Sequence, residues 1–550
     1  MTRSALPLLL FLVAVAGLAE ANPELEGPYR IEGASGGQRY TLAGGLEYQG
    51  NELRFARGPL RGKLSWDKGA WRGTSSSTGL SGALTGGAAG QVTLELVRTA
   101  PQRLDVRWSL VNGARQTQGS EVWTRAPIAS APEASAAMSD LKDHVLRAAG
   151  RKRGSTIPAA EVFSDAGNRI GKRVLVDGPE IFAAAARLIE SAEEEVLLQS
   201  FHWQDGCQAA DALVAGLQRL QERRRAAGAA RPVRVHVVVD HNRLIKELRK
   251  NPDELAASIA RANLDPRYVV VQQSKHSHWL YGALHSKTLV VDGQRALIQS
   301  ANVHDAQNGP IPWREFGFEL AGPIAKAFRS DFVELWRQTR GDRLPALTTP
   351  PLQLDGGVPM MAAVRPWGRS VFSRNVKDAP GQAILQAINN AQQRVRIITP
   401  QFSAKPVREA LVAALRRGVQ IELLLSKGGG GFRMKLPGQG GTSQKNLGRL
   451  YEDLKSDPAA LARLDARWYS RDGVQPVEKE STPGALHAKY MTVDDQLAVV
   501  GASNLDNQSF YYSRETNVVV DSRETVIGWD AQVFTPNFSR SIRIDLSKLD

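Results

Sequence analysis

The chain of 550 residues contains one cysteine, Cys207. That excludes an intramolecular disulfide and a cysteine-based zinc site, and leaves no cysteine near the N-terminus for a lipid anchor. Cys207 reads as a small buried residue. Past the N-terminal stretch no run reaches the ~18 consecutive apolar residues that a membrane span needs. The glycine-rich segment 428–441 lacks Gly-Lys-Ser/Thr, which argues against a nucleotide P-loop. No His/carboxylate metal motif is evident, no cofactor is implied, and no obligate protein partner is inferred. The chain does carry charge: the formal net charge is +14 and the isoelectric point about 9.8. A basic balance favours an anionic partner such as nucleic acid, a lipid headgroup or an anionic membrane, with plain solubility as the alternative. Apolar content of 42% and charged content of 23% are ordinary for a soluble protein, and the length suits two or three domains.

Residues 1–21 read as an export signal. Arg3 supplies the positive start, residues 8–19 are apolar, and Ala19-Glu20-Ala21 is a small-x-small cleavage site followed by Asn22-Pro23. An uncleaved anchor is the alternative reading. The expected location is the periplasm or beyond. Residues 22–130 are glycine-rich with short alternating runs; Val92, Leu94 and Leu96, then Leu104, Val106, Trp108 and Leu110, repeat at period two. Such alternation predicts half-buried strands and a small antiparallel β domain. Residues 131–159 read as a connector whose basic cluster, Arg151-Lys152-Arg153, is a solvated helix end or an anion contact.

From residue 160 the texture becomes α/β, and it runs twice. A helical pattern at 181–189 leads to an apolar strand at 195–201; a second at 383–388 leads to one at 395–402. Each is followed by another helix and a buried-type strand, 233–239 and 419–425. This alternation predicts mixed or parallel sheets covered by helices. A repeat of about 200 residues is a duplicated domain rather than a solenoid. The lobes are expected at 160–340 and 365–550, with residues 341–364, rich in Pro and Gly, as the linker. The glycine-rich segment 428–441 is either a lid or a tolerated insertion.

The repeated element is a polar cluster. His285, Lys287 and Asp292 stand in the pattern His-x-Lys-x4-Asp, and His487, Lys489 and Asp494 repeat it 202 residues later. Asn302 and Asn504 each follow their aspartate by ten residues. In a strand, residues i and i+2 share a face, so each His and Lys emerge together. Asp292-Gly293 and Asp494-Asp495 read as hairpin turns that bring each Asn back to its His. The trio suits a phosphate: a cationic lysine, an amide donor, and a histidine able to act as nucleophile or proton carrier. Ser300 and Ser503 add hydroxyls. A duplicated turn would keep the aspartates, but would not need to keep His, Lys and Asn as well.

The double motif with its trailing asparagines resembles the phospholipase D superfamily over about residues 160–550. Residues 501–510 are similar to the second motif region of cardiolipin synthases and related bacterial phospholipases, and Pro312-Trp313-Arg314-Glu315 resembles the stretch downstream of their first motif. The resemblance implies two pseudo-twofold lobes sharing one metal-independent site. One His forms a phosphohistidine while the other handles the proton. Lys287, Lys489, Asn302 and Asn504 stabilise the phosphoryl oxygens, and Glu315 and Glu515 orient the histidines. Asp292 and Asp494 read as turn-stabilising residues behind the site. By resemblance His285 is the nucleophile and His487 the acid/base. Gln299 stands where Gly is usual, and Ala502 where Ser is usual. The expected substrate is a phospholipid, with aromatic residues Trp203, Trp279, Tyr281, Phe510, Tyr511 and Tyr512, together with Leu280, as interface candidates. A nuclease acting on DNA or RNA with the same two-histidine site is the alternative, and a binding module that lost its chemistry is the remaining one.

Overall fold

The computed structural model describes the backbone of nine strands between residues 12 and 125, and residues 133–549 except 152–153, 280, 350–351, 353, 355–356, 367–376, 429–437 and 480–481. Two compact units result, residues 1–130 and 131–550.

In the first unit the nine strands close into a barrel. Five antiparallel strands run from Gly27–Ser35 to Ala70–Ser75, and three from Gln91–Ala100 to Arg115–Arg125. Gly27–Ser35 pairs with Arg115–Arg125, and the short strand Leu12–Ala14 lies between Ala70–Ser75 and Gln91–Ala100. Leu12–Ala14 falls inside the stretch that reads as an export signal. The proposed cleavage site, Ala19-Glu20-Ala21, lies outside the described residues.

The second unit contains two sheets with one shared plan. In the first, the order is Phe316–Ala321, Arg295–Gln299, Thr288–Val291, Glu195–Ser200, Val233–Asn242, Val269–His278. In the second it is Glu515–Asp521, Leu497–Gly501, Tyr490–Val493, Arg394–Thr399, Gln420–Leu425, Leu464–Trp468. In both, the last three strands are parallel and the motif hairpin is antiparallel to them. The period-two pattern explains how the first sheet packs. Leu197, Val290, Ala296 and Ile298 enter a core that continues into the second lobe, while Val196, Leu198, Leu289, Val291 and Leu297 enter a separate core under the helices Asp177–Glu190 and Gln208–Ala226. One sheet thus carries a lobe-to-lobe face and a helix face.

The lobes exchange segments at their edges. Phe163–Ser164 pairs with Met360–Arg365 in the second lobe's sheet. Met360–Arg365 itself pairs with Glu515–Asp521, so the end of the stretch that reads as linker is a buried strand. The helix Ala136–Ala149, within the expected connector, sends Met138, Leu141 and Val145 into the shared core. Its amphipathic spacing outweighs its linker-like composition. Of the basic cluster, Lys152 and Arg153 lie outside the described residues.

The motif aspartates perform the structural task read from them. Asp292 and Gly293 (φ 52° and 62°), like Asp494 and Asp495 (φ 55° and 54°), are left-handed, which gives the turn type whose twist matches a tight hairpin. Each carboxylate also reaches the neighbouring central strand. Asp292 accepts the backbone N–H groups of Glu193, Glu194 and Glu195, all at 2.8 Å, and Asp494 accepts those of Gln392, Gln393 and Arg394, also at 2.8 Å. The motif hairpin is thereby locked in register to the strand beside it. Asp292→Ala strands three donors at once and is expected to lower stability by roughly 3 kcal/mol. Urea unfolding of the full chain checks this, and an unchanged midpoint for the two-lobed unit would contradict the assignment.

Candidate active site

Both histidines leave the sheets on extended segments that cross to the other lobe. Leu284 bridges Arg514, and Leu486 bridges Arg314. The hydrogen bonds are reciprocal: the His285 N–H donates to the Arg514 carbonyl at 3.0 Å, and the His487 N–H to the Arg314 carbonyl at 3.0 Å. The residue after each arginine is the carboxylate. Glu515 of the second lobe therefore meets His285 of the first, with Nδ1 to Oε1 at 2.9 Å and to Oε2 at 3.1 Å. Glu315 of the first lobe meets His487 of the second at 2.6 Å, also through Nδ1. The sequence offers Glu319 and Asp305 as rivals to Glu315; Asp305 instead accepts the Gln204 side-chain amide at 2.5 Å. That the carboxylates cross over is not visible in the spacing, because the exchange is a property of the interface.

The lysines lie deep beneath. Lys287 and Lys489 are buried, and each ammonium donates to the backbone carbonyl of its own motif histidine, at 2.6 Å for Lys287. Burial, then the nearby Lys489 charge, pulls the Lys287 ammonium down to about 7. Two buried cations that feel each other's charge favour an anion beside them. Asn302 and Asn504 are buried at the ends of their hairpins, and the side-chain oxygen of each has no protein hydrogen-bond partner. The Asn504 side-chain N–H donates to Gln401 Oε1 at 3.5 Å. Aromatic rings wall the site: Phe201 sits edge-on to His285 with centroids 5.3 Å apart, and Trp313 lies 5.4 Å from His487.

The two carboxylates differ. Burial pushes Glu315 up, but His487, Lys489 and the Ser300 hydroxyl outweigh it and hold the group below its ordinary value. Burial dominates at Glu515, and Lys287, Ser509, Arg365 and Lys489 only partly offset it, so its carboxyl is raised to about 7. The anionic form is therefore favoured at Glu315, the partner of His487, and disfavoured at Glu515, the partner of His285.

The serine expectation is corrected for Ser300 alone; the buried Ser503 hydroxyl has no protein hydrogen-bond partner among the described residues. The Ser300 hydroxyl donates to Glu315 and does not face a substrate; its own oxygen accepts the Phe316 N–H at 2.9 Å. The equivalent position in the second lobe is Ala502, and there Ser509 bonds Glu515 instead. The other departure, Gln299, is explained by its partner across the sheet. Gln299 stands opposite Gly317, whereas Gly501 (φ 150°) stands opposite Asn517, and a Cβ on Gly501 would lie 2.6 Å from the Asn517 carboxamide oxygen. The aromatic expectation is corrected as well. Trp203, Phe510, Tyr511 and Tyr512 are buried, Tyr281 is half-buried against Tyr512, and Leu280 lies outside the described residues; only Trp279 is exposed. The middle of the candidate lid, 429–437, also lies outside the described residues. Its far end is pinned: Asn507 donates to the Gly438 carbonyl at 2.8 Å, and Ser403 to the Gln439 carbonyl at 2.8 Å.

Sequence reasoning missed Asp240 and His278. Asp240 is fully buried, pairs with His278 Nε2 at 2.9 Å, and accepts the Leu284 N–H at 2.7 Å, one residue before His285. Ser426 occupies the matching strand position in the second lobe, and its hydroxyl has no partner. The signal was a carboxylate placed directly after the apolar run 233–239.

Comparison with known proteins agrees with this geometry. Residues 384–535 match the family described as cardiolipin synthase, PLD-like domain. The chain is 29% identical over 367 residues to cardiolipin synthase A of Pseudomonas entomophila (strain L48), covering 64% of this chain and 65% of that one. It is 28% identical over 398 residues to cardiolipin synthase A of Pseudomonas aeruginosa (strain LESB58), covering 69% and 70%. The matched part thus spans about two thirds of the length of these relatives. Among solved structures, phosphatidylserine synthase of Haemophilus influenzae Rd KW20 shares the fold at 12% identity and a TM-score of 0.51, over 75% of this chain and 93% of that one.

A buried lysine near neutrality makes a clear prediction for anion binding. The cation is present below about 7 and is lost above it. Affinity for a phosphodiester that stays a monoanion, such as bis(4-nitrophenyl) phosphate, is expected to fall as pH rises from 7 to 8.5, by up to about tenfold per unit. Calorimetric titration checks this; a flat affinity would remove Lys287 from the binding set. Residues 384–535 match a cardiolipin synthase, PLD-like domain, and in its paired motifs and its fold the chain resembles the phospholipase D superfamily.

Proposed function

We propose that the chain is an enzyme of the phospholipase D type that transfers or hydrolyses phospholipid headgroups through a phosphohistidine. The crossed pairing of each motif histidine with a carboxylate from the opposite lobe carries the reading. It orients both imidazoles through Nδ1, which supports Nε2 of each as the atom that meets the substrate. The names of the relatives, cardiolipin synthase A, support a phospholipid as the phosphodiester. The export-type N-terminus supports action in the periplasm or beyond.

The difference between the two carboxylates supports the division of labour. His285 faces the less anionic partner and serves as the neutral nucleophile. His487 faces a full carboxylate, which favours its imidazolium and suits a general acid. Nε2 of His285 attacks phosphorus, the bond to the headgroup oxygen breaks, and His487 gives that oxygen its proton. An acceptor alcohol or water then returns a proton to His487 as its oxygen displaces His285 from phosphorus. Lys287, Lys489, Asn302 and Asn504 bear on the non-bridging oxygens, where charge accumulates.

Incubation with phosphatidylglycerol and ethanol is expected to yield phosphatidylethanol, detected by mass spectrometry. His285→Ala and His487→Ala are each expected to lower turnover at least ~1,000-fold, because removing either member disables the pair. Glu515→Ala, although in the second lobe, is expected to disable the first lobe's histidine by roughly 100-fold or more. Cleavage of single-stranded DNA with no lipid turnover would overturn the reading.

A further inference from the structure

Five large apolar side chains are exposed among the described residues: Leu244 at 52%, Trp279 at 59%, Ile311 at 49%, Val474 at 81% and Ile527 at 46%. Isolated exposed apolar residues are common and mean little. Four of these five, however, lie on loops at the motif-histidine ends of the two sheets. Leu244 and Trp279 follow the C-terminal ends of the parallel strands Val233–Asn242 and Val269–His278, and the Arg243 N–H donates to the His278 carbonyl at 2.9 Å, which holds the two loops together. Val474 follows the matching strand of the second lobe, Leu464–Trp468. Ile311 lies in the first lobe's crossing loop, where its carbonyl accepts the Gly484 N–H at 3.1 Å, three residues before His487. Its side chain and that of Arg471, on the Val474 loop, flank Gly484. The Trp279 loop leads directly to Leu284 and His285. Both histidines are therefore reached from the loops that carry these side chains, and Ile527 alone, on the helix Arg523–Trp529, lies elsewhere.

The charge beside Leu244 and Trp279 is cationic. Residues 243–250 read Arg-Leu-Ile-Lys-Glu-Leu-Arg-Lys, with Arg243, Lys246, Arg249 and Lys250 exposed and Glu247 as the single acid. None of these four cations makes a salt bridge among the described residues. Arg243 instead lies over the Trp279 ring at 5.3 Å. A tryptophan beside a guanidinium, flanked by aliphatic tips and unpaired lysines, matches a bilayer interface, where the ring sits at headgroup level and the cations meet lipid phosphates. A soluble phosphodiester would be served by the cations alone and gives no use for Trp279, Leu244 and Val474.

We propose that this rim is a docking surface for an anionic phospholipid bilayer, with Trp279 and Leu244 entering the interface and Lys246, Arg249 and Lys250 pairing with headgroup phosphates. The proposal rests on the phospholipid reading of the site and adds how the site meets its substrate: face-on to the membrane, with the pocket opening between two loop sets that insert. No helix among the described residues is long and apolar enough to cross a membrane, so in that part of the chain the loops are what brings the site to the lipid.

The test uses the full chain and vesicles of phosphatidylcholine with or without phosphatidylglycerol, read by sedimentation. Wild type is expected to bind the anionic vesicles and to bind the neutral ones at least tenfold more weakly. Trp279→Ala with Leu244→Ala, and separately Lys246→Glu with Lys250→Glu, are each expected to lower vesicle binding about tenfold or more. Both are expected to leave turnover of a dispersed short-chain phosphatidylcholine unchanged. Variants that bind vesicles like wild type would overturn the docking surface, as would binding to single-stranded DNA with none to vesicles. Wild-type vesicle binding without turnover of either lipid form would instead count against the catalytic reading while leaving the surface supported.

Discussion

Everything in the two-lobed unit bears on two hydrogen bonds that cross between the lobes, from His285 to Glu515 and from His487 to Glu315. An imidazole keeps a fixed orientation when one of its nitrogens is held, and here each motif histidine is held by a carboxylate of the opposite lobe. The extended segments before each histidine bridge the arginine before each opposing carboxylate, so main-chain pairing sets the distance and the side chains complete it. The shared core through Leu197, Val290, Phe316, Val395 and Tyr490 keeps the lobes at the separation those bridges require. Arg514 adds a fully buried ion pair to Asp331 of the first lobe. Its worth is more in fixing the approach of the lobes than in net stability, since desolvation consumes much of the attraction.

Much of this was legible in the sequence, for identifiable reasons. A repeated polar pattern at equal spacing inside apolar strands has few structural excuses, so His285, Lys287, Asn302 and their counterparts stood out. The aspartates announced themselves as turn residues, and the left-handed φ values at Asp292 and Asp494 bear this out. The mixed α/β architecture followed from alternating helical and strand periodicity, and the sheet order repeats between the lobes.

What stayed hidden depends on contacts between distant segments. The carboxylate exchange is set by an interface that no spacing encodes. Ser300 looked like a ligand because it stands two residues before Asn302, yet just past the end of its strand its hydroxyl turns to Glu315. The aromatic residues looked alike in sequence, but Phe510, Tyr511 and Tyr512 belong to a buried helical turn while Trp279 stands exposed just past the end of a strand. The Ala136–Ala149 helix was masked by its Ala-Ser composition, and only its partner face in the core reveals its packing.

The pairs Gln299–Gly317 and Gly501–Asn517 have a consequence for how the two lobes drifted apart. Each lobe fills one side of the same strand pair and leaves the other bare, but they chose opposite sides. A Cβ on Gly501 would lie 2.3 Å from the Thr516 carbonyl oxygen as well as against the Asn517 carboxamide, and one on Gly317 would lie 2.9 Å from the Ile181 side chain. Emptying the residue opposite makes room at neither glycine, so exchanging the filled side requires backbone or core to shift, and the two lobes are not interchangeable piece by piece.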